Sequence, residues 1–337
     1  MTPKSVRTIA DIARLAGVSK STVSRALNDS PLIGVETKER IRAIAKEKNY
    51  QINFPAQRLS TRQSNTIAFV THAYHKEFSF SDLFTLEILS SISRALAENG
   101  YDLLMVQVDP YACCDWSSNY LDTGRADGFI LMTSTRKSMH IKSLLETKAP
   151  FIVWGVPLAG YSYPSVTGDN FSGGKLAGEH LIRTGRRRIA FLGGPADELE
   201  VQHRYNGFTA ALQAADLKMD QKMVRYSELW HITTSETMDA MLEQAPDIDA
   251  IFTNSDLMAM AVMDILRATG RRVPEDVAVI GYDNLSITEV SNPPLTTISQ
   301  NLPQVGRLLA QNLIQYLRTG VVTNAVVPVE LVVRKSA

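Results

Sequence analysis

Residues 8–28 read TIADIARLAGVSKSTVSRALN, and their periodicity is that of a helix, a tight turn and a second helix. Thr8 supplies an N-cap, and Asp11, three residues on, completes a capping-box pattern. Ile9, Ile12, Ala13 and Ala16 fall at i, i+3, i+4 and i+7 and so share one apolar face. Gly17 stands where the chain must reverse, and glycine accepts positive φ at little cost. Ser19 suits the N-cap of the second helix, whose inward side carries Val23, Ala26 and Leu27. Lys20, Ser21, Ser24, Arg25 and Asn28 are left facing outward. A short helix with a polar, positive outer face and a free N-terminus is what a helix-turn-helix lays in the major groove of DNA. Taken alone, the pattern also fits a helical hairpin of some other domain.

Two further features favour DNA. A third amphipathic segment runs over 36–48 with Ile41, Ile44 and Ala45 on its apolar side, so three helices can close a miniature core. Charge is unevenly divided: residues 1–63 hold twelve Lys/Arg against five Asp/Glu, a net of +7. With 35 of each sign in the whole chain, the remainder carries −7. A basic head on an acidic body is the electrostatic footprint of a nucleic-acid binder.

The segment IADIARLAGVSKSTVSRALN (9–28) closely resembles the DNA-binding headpiece of the lactose/galactose repressor (LacI/GalR) family. The resemblance implies that Lys20 and Ser21 choose between operators, while Ser24, Arg25 and Asn28 contact DNA more generally. It extends the DNA-facing set to Thr8, Ser19, Thr22, Tyr50, Asn53, Ala56 and Leu59. Leu59 matches the leucine that a family hinge helix inserts into the minor groove, a wedge that kinks the duplex. The chain departs from the family in two places. Gly34 stands where a Ser or Thr usually caps the third helix, and Ile52 stands where the hinge proline is usual, with Pro55 three residues later. A helix as short as Pro55–Leu59 is unstable alone in water and forms when paired.

Length and composition bound the rest. A chain of 337 residues can hold two or three cores, and 45% hydrophobic with 21% charged residues is ordinary globular composition. No apolar run reaches membrane-spanning length, and MTPKSVRT lacks the apolar stretch of a secretory signal, so a cytoplasmic protein is expected. Cys113 and Cys114 are adjacent and give no disulfide framework. No His/Cys spacing suggests zinc, and neither metal nor cofactor is expected.

After the polar stretch 52–66, β-rich apolar runs at 66–72, 102–108, 127–133, 151–155, 188–194, 250–254 and 277–283 alternate with amphipathic segments near 84–98, 139–147, 172–184, 204–215, 235–244, 256–269 and 303–319. That alternation predicts parallel sheets with helices on both faces. The number of units exceeds one open sheet. The fold class expected is therefore α/β: a three-helix helix-turn-helix headpiece with its hinge over 1–63, then a two-lobed, periplasmic-binding-protein-like domain with parallel sheets over 64–337. Lobe 1 is expected at about 64–165 and 302–325, and lobe 2 at about 166–301 and 326–337.

Ligands of open α/β sheets bind beyond the carboxyl ends of strands. The residues placed there are Asp169, before a helix starting near Gly173; Arg204, opening the helix RYNGF; Ser255 and Asp256, after AIFTN; Asp283, after VAVIGY; Gln300; and Phe84, beginning the helix FTLEILSSI. Trp230 is a candidate stacking platform, with Ile232 as the alternative. A guanidinium fork, carboxylates, amides and aromatic faces suit a small polyhydroxylated ligand. Singly, Asp169 and Asp256 also read as helix caps and Asp283 as a turn residue. DNFSGGKLAGEHLIRTGRRRIAFLGG, the R-x-x-G-F at 204–208, SDLMA, GYDN and PLTTISQ again resemble the family, which implies Arg204 and Asp283 on the ligand's polar groups and Ser255 and Gln300 lining the same pocket.

No phosphate-binding G-x-G-x-x-G or G-x-x-x-x-G-K-[ST] is present, nor a G-x-S-x-G nucleophile elbow, and His180 reads as a mid-helix structural residue. The rival reading, a cytosolic α/β enzyme acting on a small polar metabolite, is set aside on those grounds. A solute-binding protein for uptake fits neither the missing signal nor the basic head. The resemblance implies a dimeric regulator of transcription that reads double-stranded operator DNA, represses a carbohydrate-use operon and answers to a sugar, or else to a purine or nucleoside.

Overall fold

The structure is a computed structural model that describes residues 8–27, 29–48, 50, 63–72, 83–108, 116–132, 138–227 and 232–337. Asn28, Asn53, Ala56, Leu59, Trp230, Cys113, Cys114 and the expected hinge helix lie outside the described residues, as does the side chain of Ile232. The chain divides into two compact units, 1–64 and 65–337.

In the first unit, α1 (Ile9–Ala16), α2 (Lys20–Leu27) and α3 (Val35–Glu47) enclose a small core of Ile12, Ala13, Ala16, Val23, Ala26, Ile41 and Ala45. The capping box that starts α1 is formed: Asp11 N donates to Thr8 Oγ1 (3.3 Å), and Thr8 N donates to Asp11 Oδ2 (3.2 Å). Gly17 ends α1 in the left-handed region, at φ +64°. Ser19 Oγ accepts from Thr22 N (3.1 Å) at the start of α2. Gly34 caps α3 without a side-chain bond. Asp29 instead links α2 to α3 through Lys38 and Arg42 (both 3.0 Å), and these cations hold its carboxyl below the usual range.

The second unit contains two six-stranded sheets of matching design. The first has the order β11-β5-β4-β3-β1-β2, from β1 (Thr66–His72), β2 (Asp102–Val108), β3 (Gly128–Met132), β4 (Phe151–Trp154), β5 (Ser165–Gly168) and β11 (Asn324–Val327). The second has the order β12-β10-β9-β8-β6-β7, from β6 (Ile189–Gly193), β7 (Val224–Tyr226), β8 (Ala250–Thr253), β9 (Ala278–Asp283), β10 (Thr296–Ser299) and β12 (Glu330–Val332). All pairings are parallel except β10 with β12. Helices α4 (Leu83–Glu98), α5 (Ser118–Leu121), α6 (Ser138–Glu146) and α11 (Leu302–Thr319) belong to the first sheet, and α7 (Asn170–Arg183), α8 (Leu199–Ala214), α9 (Ile232–Gln244) and α10 (Asp256–Ala268) to the second. Apolar cores line both faces of each sheet, so β3, β4, β6, β8 and β9 are buried almost throughout and read as unbroken apolar runs.

The chain passes between the lobes three times: after Gly168, after Ser299 and between β11 and β12. The first and third passages come two or three residues later than the expected 165/166 and 325/326. The cause is pairing of β11 with β5, from Asn324 opposite Ser165 to Val327 opposite Gly168, which holds both short strands in the first sheet. Among the described residues no helix is long and apolar enough to cross a membrane, and no group of His, Cys, Asp or Glu gathers as a metal site requires.

Candidate functional site

The second lobe assembles its polar cluster where α7 and α8 cross. Gly174 and Gly207 make this crossing possible: a Cβ at Gly174 would overlap the carbonyl oxygen of Arg204, and one at Gly207 that of Phe171. A Cβ at Gly173 would likewise crowd the Tyr282 hydroxyl, though less severely. The two helices therefore meet backbone to backbone, and Arg204 is carried against the start of α7.

Arg204 is 6% exposed. Its Nε donates to Asn170 Oδ1 (2.8 Å), and its Nη1 donates to the Asn254 carbonyl (2.6 Å). Its guanidinium lies 3.6 Å from the centre of the Tyr282 ring, an arrangement that attracts a cation to the ring face. Burial pushes the Tyr282 hydroxyl up to about 12. Asn170 is fixed in turn by donating to the Gly168 carbonyl (3.1 Å). Two nitrogens of the fork are thus committed to the protein; among the described residues Nη2 makes no further side-chain or backbone hydrogen bond.

Next along the sheet, Asp283 ends β9 at φ +119°, followed by Asn284 at φ +59°. Both lie in the region that side-chain-bearing residues rarely adopt. The Asp283 carboxylate accepts from Gln300 Nε2 (2.7 Å), and both residues are buried. Gln300 Oε1 and Asn254 Oδ1 are buried acceptors with no donor from the described residues. Such atoms carry a desolvation cost unless a ligand or water supplies a hydrogen.

The other expected residues fall elsewhere. Asp169 and Ser255 are caps: Asp169 Oδ1 accepts from Ser172 N (3.0 Å) at the head of α7, and Ser255 Oγ from Met258 N (3.3 Å) at the head of α10. With Asp169 as its cap, α7 starts at Asn170, ahead of the expected Gly173. Asp256 does not join the cluster. It is fully buried, its Oδ2 accepts from Leu285 N (2.7 Å), its Oδ1 accepts from the Thr297 hydroxyl, and burial pushes its carboxyl up to about 7. Nor does Arg204 open its helix: α8 starts at Leu199, because the buried Val201 extends it toward the strand, and Glu198 caps it without a side-chain bond that would mark the start. Phe84 lies in the first turn of α4 and packs on the first-lobe core. Asn254 and Tyr282 were missed; each is adjacent in sequence to a residue that was named.

Among the described residues, hydrogen bonds to two carboxylates join the lobes. Glu200 Oε1, one turn before Arg204 on α8, accepts from Val156 N of the first lobe (2.9 Å), and burial pushes its carboxyl up. Glu87 Oε1, on α4, accepts from Ser286 N of the second lobe (2.8 Å).

In the headpiece, Ser19, Lys20, Ser21 and Arg25 are exposed along α2, with Thr22 and Ser24 half-exposed beside them. Ser19 Oγ lies within hydrogen-bond distance of Ser21 Oγ (2.7 Å) and Thr22 Oγ1 (2.8 Å). Thr8 is exposed at the head of α1, and Tyr50 packs half-buried on the headpiece core.

The model of the bacterial regulatory proteins of the lacI family matches residues 8–53, and that of the periplasmic binding proteins and sugar-binding domain of the LacI family matches 66–335. The chain belongs to the LacI family. It is a DNA-binding regulator of transcription, not an enzyme. This LacI-family regulator is 35% identical over 329 residues to the HTH-type transcriptional regulator CelR of Thermobifida fusca, covering 96% of this chain and 95% of that one. Among solved structures it is similar to a complex of the transcriptional regulator CelR with cellobiose (TM-score 0.75, 32% identity, 98% of this chain and 99% of that one). It is also similar to the Lac repressor dimer bound to operator and the anti-inducer ONPF (TM-score 0.80, 27% identity, 98% of each chain).

Proposed function

We propose that this regulator is a cytoplasmic homodimeric repressor of carbohydrate-use genes and that a small sugar, with cellobiose the first to test, binds between its lobes. One observation carries the reading: a buried guanidinium, held by Asn170, Asn254 and Tyr282, stands beside the Asp283–Gln300 pair at the carboxyl ends of the second-lobe strands. A sugar hydroxyl both donates and accepts. It can accept from Arg204 Nη2 and donate to Asp283, Gln300 Oε1 or Asn254 Oδ1. The likeness to a CelR–cellobiose complex supports the same class.

In this reading the exposed face of α2 lies in the operator's major groove, with Lys20 and Ser21 reading bases and Ser19, Thr22, Ser24 and Arg25 holding the backbone and flanking positions. Thr8 and Tyr50 add contacts at the helix heads. Phe84 offers the ligand an apolar first-lobe wall. Asp169 and Ser255 shape the strand ends as caps. Sugar binding alters the angle between the lobes and, through it, the affinity for operator.

Calorimetric titration with cellobiose, other disaccharides, monosaccharides and purines tests the ligand class, and operator binding followed by fluorescence anisotropy tests the response. Cellobiose or a close relative is expected to bind and to change operator affinity. A response to hypoxanthine or guanine alone would replace the sugar with a purine.

A further inference from the structure

Asp283 is paired in the sheet opposite Ser299, and Asn284, just beyond the strand, is held from another part of the chain. Arg334, after β12, reaches it: Nη2 donates to Asn284 Oδ1 (2.8 Å). The same guanidinium donates through Nη1 to the Leu295 carbonyl (2.8 Å) and Thr288 Oγ1 (3.2 Å), and its backbone N donates to Thr296 Oγ1 (2.9 Å). Glu289 lies 3.5 Å from Nη2 as a counter-charge, and the Arg334 side chain is only 14% exposed. One side chain thus ties the start, the middle and the end of the connection between β9 and β10. Asp256 anchors the next residue by accepting from Leu285 N (2.7 Å).

A left-handed Asp–Asn turn persists only where its surroundings over-determine it. At its positive φ, Asn284 is tied by its side chain to Arg334 and by its backbone to the buried Asp256 carboxylate. Without Arg334 the far side of the turn is held by Asp256 alone, and the Asp283 carboxylate is less firmly aimed at Gln300. We infer that Arg334 is a positioning residue for effector recognition: through Asn284 it fixes the turn that aims Asp283 at the ligand. This rests on Asp283 being an effector contact, as proposed above.

The test uses the full chain, with Arg334→Gln, Arg334→Lys, Asn284→Ala, the Arg334→Gln/Asn284→Ala pair and Asp283→Asn. Amide hydrogen exchange is measured without ligand, and cellobiose affinity by calorimetry. Arg334→Gln is expected to speed exchange at Asn284 and Leu285 at least tenfold, with the sheet amides unchanged, and to weaken cellobiose at least tenfold. Asn284→Ala should do the same, the double variant should be no worse than either single one, and Arg334→Lys should recover part of the loss. Unchanged exchange at the turn, cellobiose affinity within twofold of the parent, or losses that simply add would each overturn the inference. Faster exchange spread over the whole second sheet would make Arg334 a general support of the fold and overturn it too. The best-bound compound of the panel takes the place of cellobiose if it differs; if the parent binds none of the sugars or purines, or Asp283→Asn binds the ligand as the parent does, the effector reading itself fails and takes this inference with it.

Discussion

Replacing Arg204 separates what this side chain does for the fold from what it does for the ligand. Any apolar replacement leaves Asn170 Oδ1 and the Asn254 carbonyl without their donor, about 1–3 kcal/mol each. Against that stands relief from keeping a guanidinium out of water, several kcal/mol for a buried ion. For Arg204→Met these terms nearly cancel, since the thioether stem still covers Tyr282; the fold should change by no more than about 2 kcal/mol. Arg204→Ala adds an unfilled space, about 2–5 kcal/mol more. Ligand binding should respond differently. Both variants lose the Nη2 donor, and a charged hydrogen bond of about 1.5–3 kcal/mol corresponds to roughly 10–150-fold in affinity. Thermal melting should therefore rank parent and Met close together, with Ala well below. Calorimetry with cellobiose should rank Met and Ala together, well below the parent, while operator binding without sugar survives in Met. If Arg204→Met bound cellobiose within threefold of the parent, the guanidinium would not be a ligand contact and the site as drawn here would be wrong.

Arg25→Ala should abolish specific operator binding in band-shift assays while leaving cellobiose affinity intact, and parent operator affinity should fall steeply with salt as phosphate contacts are screened; a flat salt curve would contradict the assignment of the basic head. The Asp256 carboxyl, raised from 3.8 to about 7 by burial, contributes stability that is fullest below pH 4 and is drained as pH rises through about 7, on the order of 4 kcal/mol. Asp256→Asn can still accept from Leu285 N and donate to Thr297, so its melting temperature should gain on the parent between pH 5 and pH 8, and parallel curves would refute that account. Gly174→Ala should push α8 off α7 and cost both stability, about 3 kcal/mol by analogy with overpacked cores, and cellobiose binding; normal binding would show that the crossing is not what seats Arg204. Removing the cross-lobe acceptors together, Glu87→Ala with Glu200→Ala, should shift the angle between lobes in small-angle scattering and weaken the operator response to sugar, whereas Glu200→Gln, which keeps an acceptor for Val156 N, should act more like the parent.

The headpiece was legible because its signals are local. Thr8, Asp11, Gly17 and Ser19 act within four residues of themselves, and the caps form as their spacing says. The central strands were legible because burial on both faces leaves runs such as IAFLG and AVIGYD with almost no polar residue. The strands that went unread are short and polar or half-exposed, as in SVTG, VRY, TTIS and NAVV; their pairing is decided by partners as distant as Asn324 and Ser165. The site divides the same way. Arg204, Asp283 and Gln300 stand in recognisable motifs, but what fixes them is long-range: Asn170 and Asn254 lie 34 and 50 residues from Arg204, and Arg334 lies 50 from Asn284. Asp256 was misjudged because a carboxylate at a strand end has the same local signature whether it faces a cleft or is sealed beneath it.

The arrangement also explains why a small ligand in the second lobe can be felt in the first. Arg204 and Glu200 are four residues apart on α8 and so share one helix face; one meets the proposed ligand, and the other holds Val156 across the cleft. Asp283 and Ser286 are likewise three residues apart, at the end of β9 and on the turn that follows it; one belongs to the proposed ligand site, and the other donates to Glu87 on α4. Each ligand-facing side chain is therefore mounted on a rigid element that already touches the opposite lobe. A sub-ångström adjustment of α8 or of the turn strains or relieves a cross-lobe bond directly, with no chain of intermediates. The energies match as well. Were the two hydrogen bonds, about 0.5–1.5 kcal/mol each, made in one lobe orientation and lost in another, they would sum to the 1–3 kcal/mol that changes affinity roughly 5- to 150-fold. Because that coupling is reciprocal, operator DNA must alter sugar affinity by the same factor as sugar alters operator affinity.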